Sequence, residues 1–319
     1  MEKYTPTGKI ENVFNDGIAY VEYYEQFAYA NSSEDSRIEA VTNIASVCYQ
    51  NPKAFGSQSL YKRLECESKG LPSSSFEFIP MLLTQKEITS LYFARKLFVS
   101  DNNAVTKYGE WIEDGKYLLT NFRAVTYLFE EYGIDLRKRF NTKEECDIIK
   151  KHFAVFSMYI DMPTRSQYVR HRINLQELSR RYVSGKKTPF DFYESEKMKS
   201  IVSTHTANPA NINLLGFDYE NKNISEAILP VQVNLGTRDL INACLEHYEE
   251  ALRNGVKPEE ARRIIPQGMQ TIIWGAFQPR QLENFYKLRL EPKAQVEIRE
   301  VATAMLELET KGEYSGNSN

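Results

Sequence analysis

QYVRHRINLQELSRRYV, residues 167–183, places four arginines and His171 beside Gln167, Glu177 and Ser179. If this segment formed one continuous helix, positions 7 and 11 residues after Arg170 would return to its face at 3.6 residues per turn. Arg170, Glu177 and Arg181 would then share one stripe. Because arginine presents a fixed fork of donors to phosphate, the stripe predicts a site for a phosphate and a polar base. A solvated basic helix face is the alternative interpretation.

A second arginine-rich segment covers residues 261–290, ARRIIPQGMQTIIWGAFQPRQLENFYKLRL. Its pattern predicts a strand over MQTIIWGAF and a helix over PRQLENFYKLRL. On that helix Asn284 lies one turn after Arg280, and Arg289 lies nine residues after Arg280. These arginines either belong to the same anion site or coat the surface of helices whose apolar residues form ordinary core.

Strand and helix patterns alternate in the segments further out. Val, Ile, Tyr and Phe predict strands over 8–30, around an Asn-Asp-Gly turn, and over 153–162. Apolar residues at helical spacing predict helices over 34–50 and 239–255, the latter closed by Gly255. No G-x-G-x-x-G or G-x-x-x-x-G-K-[ST] motif occurs, so neither a Rossmann fold nor a P-loop is indicated. We expect an α+β fold with a mixed β-sheet core and packed helices.

The composition argues against several classes of protein. The formal net charge is −3, so a general electrostatic attraction to nucleic acid or to an acidic membrane is not indicated. No apolar run approaches the length of a membrane span. The four cysteines form no C-x-x-C pair and no two of the four histidines have metal-ligand spacing. We therefore expect a cytoplasmic protein that binds no metal, no membrane and no nucleic acid, with cysteines that serve as small hydrophobic residues.

Several of these blocks resemble, in order and spacing, those of the flavin-dependent thymidylate synthases. That family has an RHR triplet followed by a serine and then Arg-Tyr, which in this chain is RHRINLQELSRRYV, residues 170–183. Upstream, IASVCYQ (44–50) and SSSFEF (73–78) resemble the early helix and the first cofactor turn of the family. Downstream, three blocks resemble its closing segments: EEARRIIP (259–266), AFQPRQLENFYKLRL (276–290) and AQVEIR (294–299).

The resemblance implies roles for individual residues. One set would bind the substrate dUMP: Gln167, Arg170, Glu177, Ser179, Arg181, Arg262 and Arg289. Within that set the resemblance gives Ser179 and Arg289 catalytic roles. A second set falls where the family holds FAD: Ser74, Glu77, His171, Arg172, Arg280 and Asn284.

The resemblance also implies a reaction and an assembly. The reaction is the reductive methylation of dUMP to dTMP, with methylenetetrahydrofolate as carbon donor and NADPH as reductant, without a cysteine nucleophile. The assembly is a homotetramer whose flavin sites are built from several subunits. The chemistry agrees with the residues, because arginines can stabilise negative charge that develops on the uracil ring. The hydride that completes a methyl group must come from a cofactor such as flavin.

Some positions depart from the family pattern. Six residues separate Arg172 from Ser179, one fewer than is usual, and Gln278 stands where an asparagine is common. These departures leave two alternatives open. One is a flavin-dependent one-carbon transfer to a pyrimidine nucleotide that gives a different product. The other is a catalytically inactive nucleotide-binding homologue.

The domain organisation follows from the extent of the resemblance. We expect a single domain over residues 1–311 and a disordered tail over 312–319. Residues 79–152 are expected to be an inserted segment, because this stretch is longer than in the shortest family members. The insert is either a packing elaboration at the edge of the tetramer, or a lid or partner-binding element.

Overall fold

The computed structural model describes residues 4–14, 19–66, 72–89, 109–126, 135–207 and 231–315. By its internal contacts the chain forms two compact units. The first consists of Met1–Ser179 together with Thr271–Asn319, and the second of Arg180–Gln270. The single domain expected over residues 1–311 stays a prediction.

Helices and strands are mixed in the described part of the chain, as the α+β prediction requires. The strands are β1 (Gly8–Glu11), β2 (Tyr20–Tyr23), β3 (Pro80–Thr84), β4 (Gly109–Ile112), β5 (Tyr117–Asn121), β6 (Ala154–Asp161), β7 (Asn174–Glu177), β8 (Val202–Ala207), β9 (Val231–Gly236) and β10 (Gln270–Phe277). The helices are α1 (Glu34–Tyr49), α2 (Gln58–Glu65), α3 (Gln85–Thr89), α4 (Lys143–His152), α5 (Met162–Tyr168), α6 (Glu196–Lys199), α7 (Thr237–Arg253), α8 (Pro258–Ala261), α9 (Pro279–Arg289) and α10 (Val296–Ser315). None of these helices is long and apolar enough to cross a membrane.

A five-stranded sheet in the order β1-β2-β6-β10-β7 forms the centre of the first unit. The pairs β1–β2, β2–β6 and β7–β10 are antiparallel. The core beside this sheet is aromatic: the Trp274 ring lies 4.4 Å from that of Tyr24 and 6.0 Å from that of Phe27. Aromatic pairs at such distances add to the free energy gained by burying their area. Strands β1 and β2 within 8–30 and β6 within 153–162 agree with the prediction, but Glu25–Tyr29 forms a 3-10 helix, and the expected Asn-Asp-Gly turn lies outside the described residues.

Helix α1 packs against this core and begins and ends where local chemistry predicts. The Ser33 hydroxyl accepts the backbone N–H of Ser36 at 3.1 Å, which satisfies a free donor of the first turn. Gln50 ends the helix in the left-handed region, with φ of 48°. The buried face includes Ile38, Val41 and Ile44. The helix predicted over 34–50 is confirmed, and its last turn lies beside β7.

A separate three-stranded sheet, in the order β3-β5-β4, is built by the segment 79–152. Its strands β3 and β5 carry buried leucines, among them Leu82, Leu118 and Leu119. The buried Asn141 side chain donates to the carbonyl of Pro80 at 2.9 Å and accepts the N–H of Leu82 at 3.3 Å, which ties the chain before α4 to β3. The described part of the expected insert is thus a compact sheet followed by a helix.

The second unit contains an antiparallel β8–β9 pair and the helices α6, α7 and α8. Tyr248 of α7 is buried, and its ring stands at 90° to that of Phe190 at a centroid distance of 5.1 Å. The Arg180 guanidinium lies 4.3 Å over the same Phe190 ring. Helix α7 is followed by Gly255 with φ of 82°, as the predicted glycine stop requires.

Two expectations need correction or limitation. The segment 167–183 is not one continuous helix, because α5 ends at Tyr168 and β7 begins at Asn174. Helix α10 continues to Ser315, into the tail that we expected to be disordered. The remainder of that tail, 316–319, lies outside the described residues.

Candidate active site

The RHR triplet stands at a corner of the chain between a helix and a strand. Helix α5 starts with the Asp161 carboxylate accepting the N–H of Thr164 at 3.0 Å, and a 3-10 turn follows over Val169–His171. Arg172 then takes a left-handed conformation, with φ of 51° and ψ of 39°, and breaks the helical path. The stripe expected from a continuous helix does not form, because the next residues pair with β10, with Glu177 opposite Ile273.

Three of the predicted residues meet at this corner. The Arg289 guanidinium donates from Nε to Nε2 of His171 at 2.7 Å, from Nη1 to Oε1 of Gln167 at 3.2 Å, and from Nη2 to the Gln167 carbonyl at 3.2 Å. Burial, with the nearby Arg289 charge, lowers the pKa of His171 to about 4. The imidazole is therefore neutral near pH 7 and can accept the Arg289 hydrogen bond.

The corner carries positive charge without a neutralising carboxylate. No ion pair joins Arg170, Arg172 or Arg289 to an acidic side chain of the described residues, and the first two are exposed. The pKa of Arg289 is lowered by burial and by the charge of Arg170, so these two guanidinium groups repel each other electrostatically. Like charges held together in this way favour an anionic ligand, and arginine forks suit phosphate in particular.

Glu177 has a partner that the sequence pattern did not suggest. Arg165 of α5 contacts both carboxylate oxygens of Glu177, with Nε at 3.1 Å from each oxygen and Nη2 at 2.5 Å from Oε2. The Thr271 hydroxyl lies 3.3 Å from Oε1. Arg165 was missed because its contact with Glu177 depends on the turn at Arg172, which the helical spacing did not include.

A chain of hydrogen bonds fixes the strand that carries Glu177 and leads to Ser179. The Ser74 hydroxyl donates to Oε1 of Gln176 at 3.2 Å, and Nε2 of Gln176 donates to Sγ of Cys48 at 2.8 Å. The Cys48 thiol donates to the Glu177 carbonyl at 3.0 Å, and the backbone carbonyl of Cys48 accepts the N–H of Ser179 at 3.1 Å. The end of α1 thus connects Ser74, assigned to the cofactor, with Ser179, assigned to the substrate.

The remaining residues assigned to the cofactor lie at two places. Glu77 is buried in the 3-10 turn Ser74–Phe78, where it forms an ion pair with Arg123, and its carbonyl accepts from Asn174 at 3.2 Å. Arg280 lies in the first turn of α9 beside Glu110, and Asn284 is exposed one turn further on. Glu110 and Arg123 both come from the inserted segment, and no sequence motif indicated either.

Arg181 and Arg262 belong to the second unit, where both approach Glu259. Nε of Arg181 lies 3.1 Å from a carboxylate oxygen of Glu259, and Nε of Arg262 donates to the Glu259 carbonyl at 3.4 Å. The Arg181–Glu259 ion pair is exposed, so it contributes little to stability and can be exchanged for another anion.

A cavity of about 820 Å³ lies in the first unit; the residues that line it include Pro279 and Glu283, the chain neighbours of Arg280 and Asn284, but none of the predicted site residues. It lies between the end of α4 and the helices α9 and α10, and its walls include Lys151, Phe153, Glu283 and Tyr286. A metal-binding group of three or more His, Cys, Asp or Glu side chains is not found within the described ranges.

Comparison with known proteins places this corner in a family. The family model described as thymidylate synthase complementing protein matches residues 143–311, which is more than half of the chain. The chain belongs to this family. The match includes α5, β7, β10 and α9, and its range holds every predicted site residue except Ser74 and Glu77.

Curated relatives of this family are named flavin-dependent thymidylate synthase. The chain is 48% identical to that of Pyrococcus furiosus over 60 residues, which are 19% of this chain and 25% of the relative. It is 30% identical to that of Thermus thermophilus over 159 residues, 49% of this chain and 52% of the relative. It is 29% identical to that of Haloarcula marismortui over 147 residues, 45% and 56% of the two chains. The matched part thus spans between a quarter and about half of these relatives.

Proposed function

We propose that the protein is a flavin-dependent thymidylate synthase that methylates dUMP to dTMP, with FAD, methylenetetrahydrofolate as carbon donor and NADPH as reductant. Membership of the thymidylate synthase complementing protein family supports the proposal, as do the names of the relatives. The observation that carries it is the group of guanidiniums at the RHR corner. Arg170, Arg172 and Arg289 have no carboxylate partner among the described residues, so the corner favours phosphorylated ligands.

The proposed substrate residues are Gln167, Arg170, Glu177, Ser179, Arg181, Arg262 and Arg289. Arg289 would act on the pyrimidine, because three hydrogen bonds to Gln167 and His171 hold its guanidinium in one orientation. A donor fixed before the reaction stabilises negative charge on the uracil ring without reorganising in the transition state. Ser179 would donate its hydroxyl to the nucleotide, since Cys48 fixes its backbone N–H.

The proposed cofactor residues are Ser74, Glu77, His171, Arg172, Arg280 and Asn284. The exposed donors of Arg172, Arg280 and Asn284 fit the phosphates and polar groups of a dinucleotide. Glu77 fits a different task, because it is buried and paired with Arg123, and we propose that it holds the Ser74–Phe78 turn in place. FAD, when bound, supplies hydride chemistry that protein side chains lack.

We also propose that the protein acts as a homotetramer, in which the sites are completed by neighbouring subunits. Light scattering of the purified protein tests this point separately from the chemistry. A monomer at catalytic concentrations would contradict it.

The first test of the proposed function is the visible absorbance of the purified protein, with and without added dUMP. A flavin spectrum whose peaks respond to dUMP would support a cofactor and a nucleotide that lie close together. A colourless protein that takes up no added FAD would contradict the proposal and favour an inactive nucleotide-binding homologue.

The second test identifies the product by mass spectrometry, after incubation with dUMP, methylenetetrahydrofolate and NADPH. Formation of dTMP alone supports the proposal. A different modified nucleotide would favour another one-carbon transfer. That alternative is motivated by the short spacing between Arg172 and Ser179, which the chain spans with the extended strand β7.

A further inference from the structure

Two side chains of the inserted segment 79–152 reach residues that we assign to the cofactor. The first is Glu110 of β4, whose side chain is only 5% exposed. Its two carboxylate oxygens accept the backbone N–H of Arg280 at 3.2 and 3.1 Å, and Nε of Arg280 lies 3.5 Å away. A carboxylate here also interacts favourably with the positive end of the α9 helix dipole. Glu110 thus holds both the first turn of α9 and the guanidinium of Arg280 in place.

The second side chain is that of Arg123, two residues after β5. Its Nε donates to the Pro72 carbonyl at 3.0 Å, and its guanidinium forms an ion pair with the buried carboxylate of Glu77. The N–H of Phe122 also donates to the Ile79 carbonyl at 2.9 Å. These bonds hold the Ser74–Phe78 turn from both ends.

The burial of the Glu110 carboxylate is not explained by a gain in the free energy of unfolding. Burial raises its pKa, and the Arg280 N–H and charge offset only part of that effect. A buried carboxylate with so few partners commonly costs as much in desolvation as it gains in attraction. Since replacing a buried ion pair by well-packed apolar residues is often neutral or stabilising, the Glu110–Arg280 contact fits a positional role better than a stabilising one.

The two ends of α9, which carry Arg280 and Arg289, differ in their contacts with the insert. Arg289 and Arg280 stand at opposite ends of α9, separated by roughly 14 Å along the axis at 1.5 Å per residue. The insert bonds to the Arg280 end, whereas the described partners of Arg289 are Gln167 and His171, of which His171 is itself assigned to the cofactor. A disturbance of the insert should therefore reach Arg280 and Glu77, which are assigned to the cofactor, before it reaches the substrate residues Gln167 and Arg289.

We propose that the inserted sheet forms a wall of the part of the cofactor site that contains Ser74, Glu77 and Arg280, with Glu110 and Arg123 as positioning residues for α9 and for the Ser74–Phe78 turn. This inference rests on the proposed function, because it takes FAD as the cofactor. It gives the insert a role in cofactor affinity, beyond packing.

The test compares the affinities of the full-length variants Glu110→Ala, Glu110→Gln, Arg123→Ala and Arg123→Lys for FAD and for dUMP. We expect each alanine variant to raise the FAD dissociation constant about tenfold, the order expected for loss of a charge-assisted bond. The conservative variants should recover part of that loss. With FAD saturating, the dUMP dissociation constant should stay within about twofold of wild type, since the Arg289 end of α9 is untouched.

The matched control is Glu113→Gln, in the turn after the same strand β4. Glu113 is an exposed carboxylate that pairs with His152 at 2.7 Å and contacts no residue assigned to the cofactor. Its FAD affinity should equal that of the wild type. Thermal unfolding of every variant identifies loss of fold, and Glu110→Gln and Arg123→Lys carry the test if the alanine variants do not fold.

The outcomes separate the inference from the proposed function. Wild-type FAD affinity in folded Glu110→Ala and Arg123→Ala would overturn the inference and leave the proposed function intact. Equal losses of FAD and dUMP affinity would also overturn it, because they indicate a general loss of structure. A wild-type protein that binds no FAD would overturn the proposed function, and this inference with it.

Discussion

Replacing Arg165 with alanine should lower the free energy of unfolding by about 2 kcal/mol. The guanidinium makes three contacts of 2.5–3.1 Å with the Glu177 carboxylate, whose remaining side-chain partner among the described residues is the Thr271 hydroxyl at 3.3 Å. The two side chains are 29% and 24% exposed. The pair therefore lies between exposed pairs, worth about 0–1 kcal/mol, and buried pairs, whose disruption costs about 3–5 kcal/mol.

A double-mutant cycle with Arg165→Ala and Glu177→Gln isolates this pair. Urea unfolding followed by tryptophan fluorescence should give a coupling energy of about 1–2 kcal/mol. Lys311→Ala serves as the control, because it removes an exposed helix-surface pair with Glu307 and should cost less than about 0.5 kcal/mol. A coupling below that level for Arg165 and Glu177 would show that the contact does not hold Glu177, and the reasoning about β7 would fail.

Three other substitutions test the corner and the core beneath it. Arg170→Ala should weaken dUMP binding by about 2 kcal/mol in an equilibrium titration, since a phosphate or ring anion would lose a charged partner; unchanged affinity would remove Arg170 from the site. The neutral form of His171, whose pKa is lowered to about 4 from 6.5, stabilises the fold above pH 6.5, and that contribution is lost as the pH falls towards 4. Between pH 6.5 and 4 the free energy of unfolding of the wild type should thus fall by roughly 1–2 kcal/mol more than that of His171→Gln, after allowance for solvent screening. Urea unfolding at a series of pH values measures this difference. The same pH dependence of the unfolding free energy in both proteins would contradict the buried contact with Arg289. Gly275→Ala should destabilise by about 3 kcal/mol or more, because a Cβ there would lie 2.0 Å from the hydroxyl oxygen of the buried Tyr168; a wild-type thermal midpoint would refute the close approach.

The elements with strong local signals could be predicted from the sequence. Helix α1 followed from apolar residues at helical spacing, and α7 from its amphipathic pattern with Gly255 behind it. Strands β6 and β10 followed from continuous β-branched and aromatic runs. Each of these signals lies within the segment that it predicts, so long-range contacts were not needed to read it.

The corner at Arg172 could not be predicted in this way. A positive φ at an arginine has no composition signal comparable to that of glycine, and the helical spacing through Arg170 and Glu177 looked regular. The partners of the acidic groups were equally hidden. Arg123 is remote in sequence from Glu77, and Glu110 from Arg280, so only the fold shows that they meet.

The candidate site was recognised through the order of its blocks. The family assignment from those blocks is confirmed by the match over residues 143–311. The fold also brings together Gln167, His171 and Arg289, which were named separately. The roles of the individual residues in binding and catalysis stay predictions, because contact in the fold does not show what a side chain binds.

The second unit is inserted in sequence between two parts of the first unit, Met1–Ser179 and Thr271–Asn319. Residues 178–269, which include all of the second unit except Gln270, connect the neighbouring antiparallel strands β7 and β10, and the N–H of Leu178 donates to the Ile272 carbonyl at 2.9 Å. Topologically, almost the whole second unit is therefore the loop of a β-hairpin. Because the entropy of closing a loop grows only slowly with its length, such a loop can gain or lose tens of residues at little cost to the strand pair. Residues around Arg181 and Arg262 can therefore be exchanged, inserted or removed with little effect on the pairing of β7 with β10 and on the contacts of Arg289.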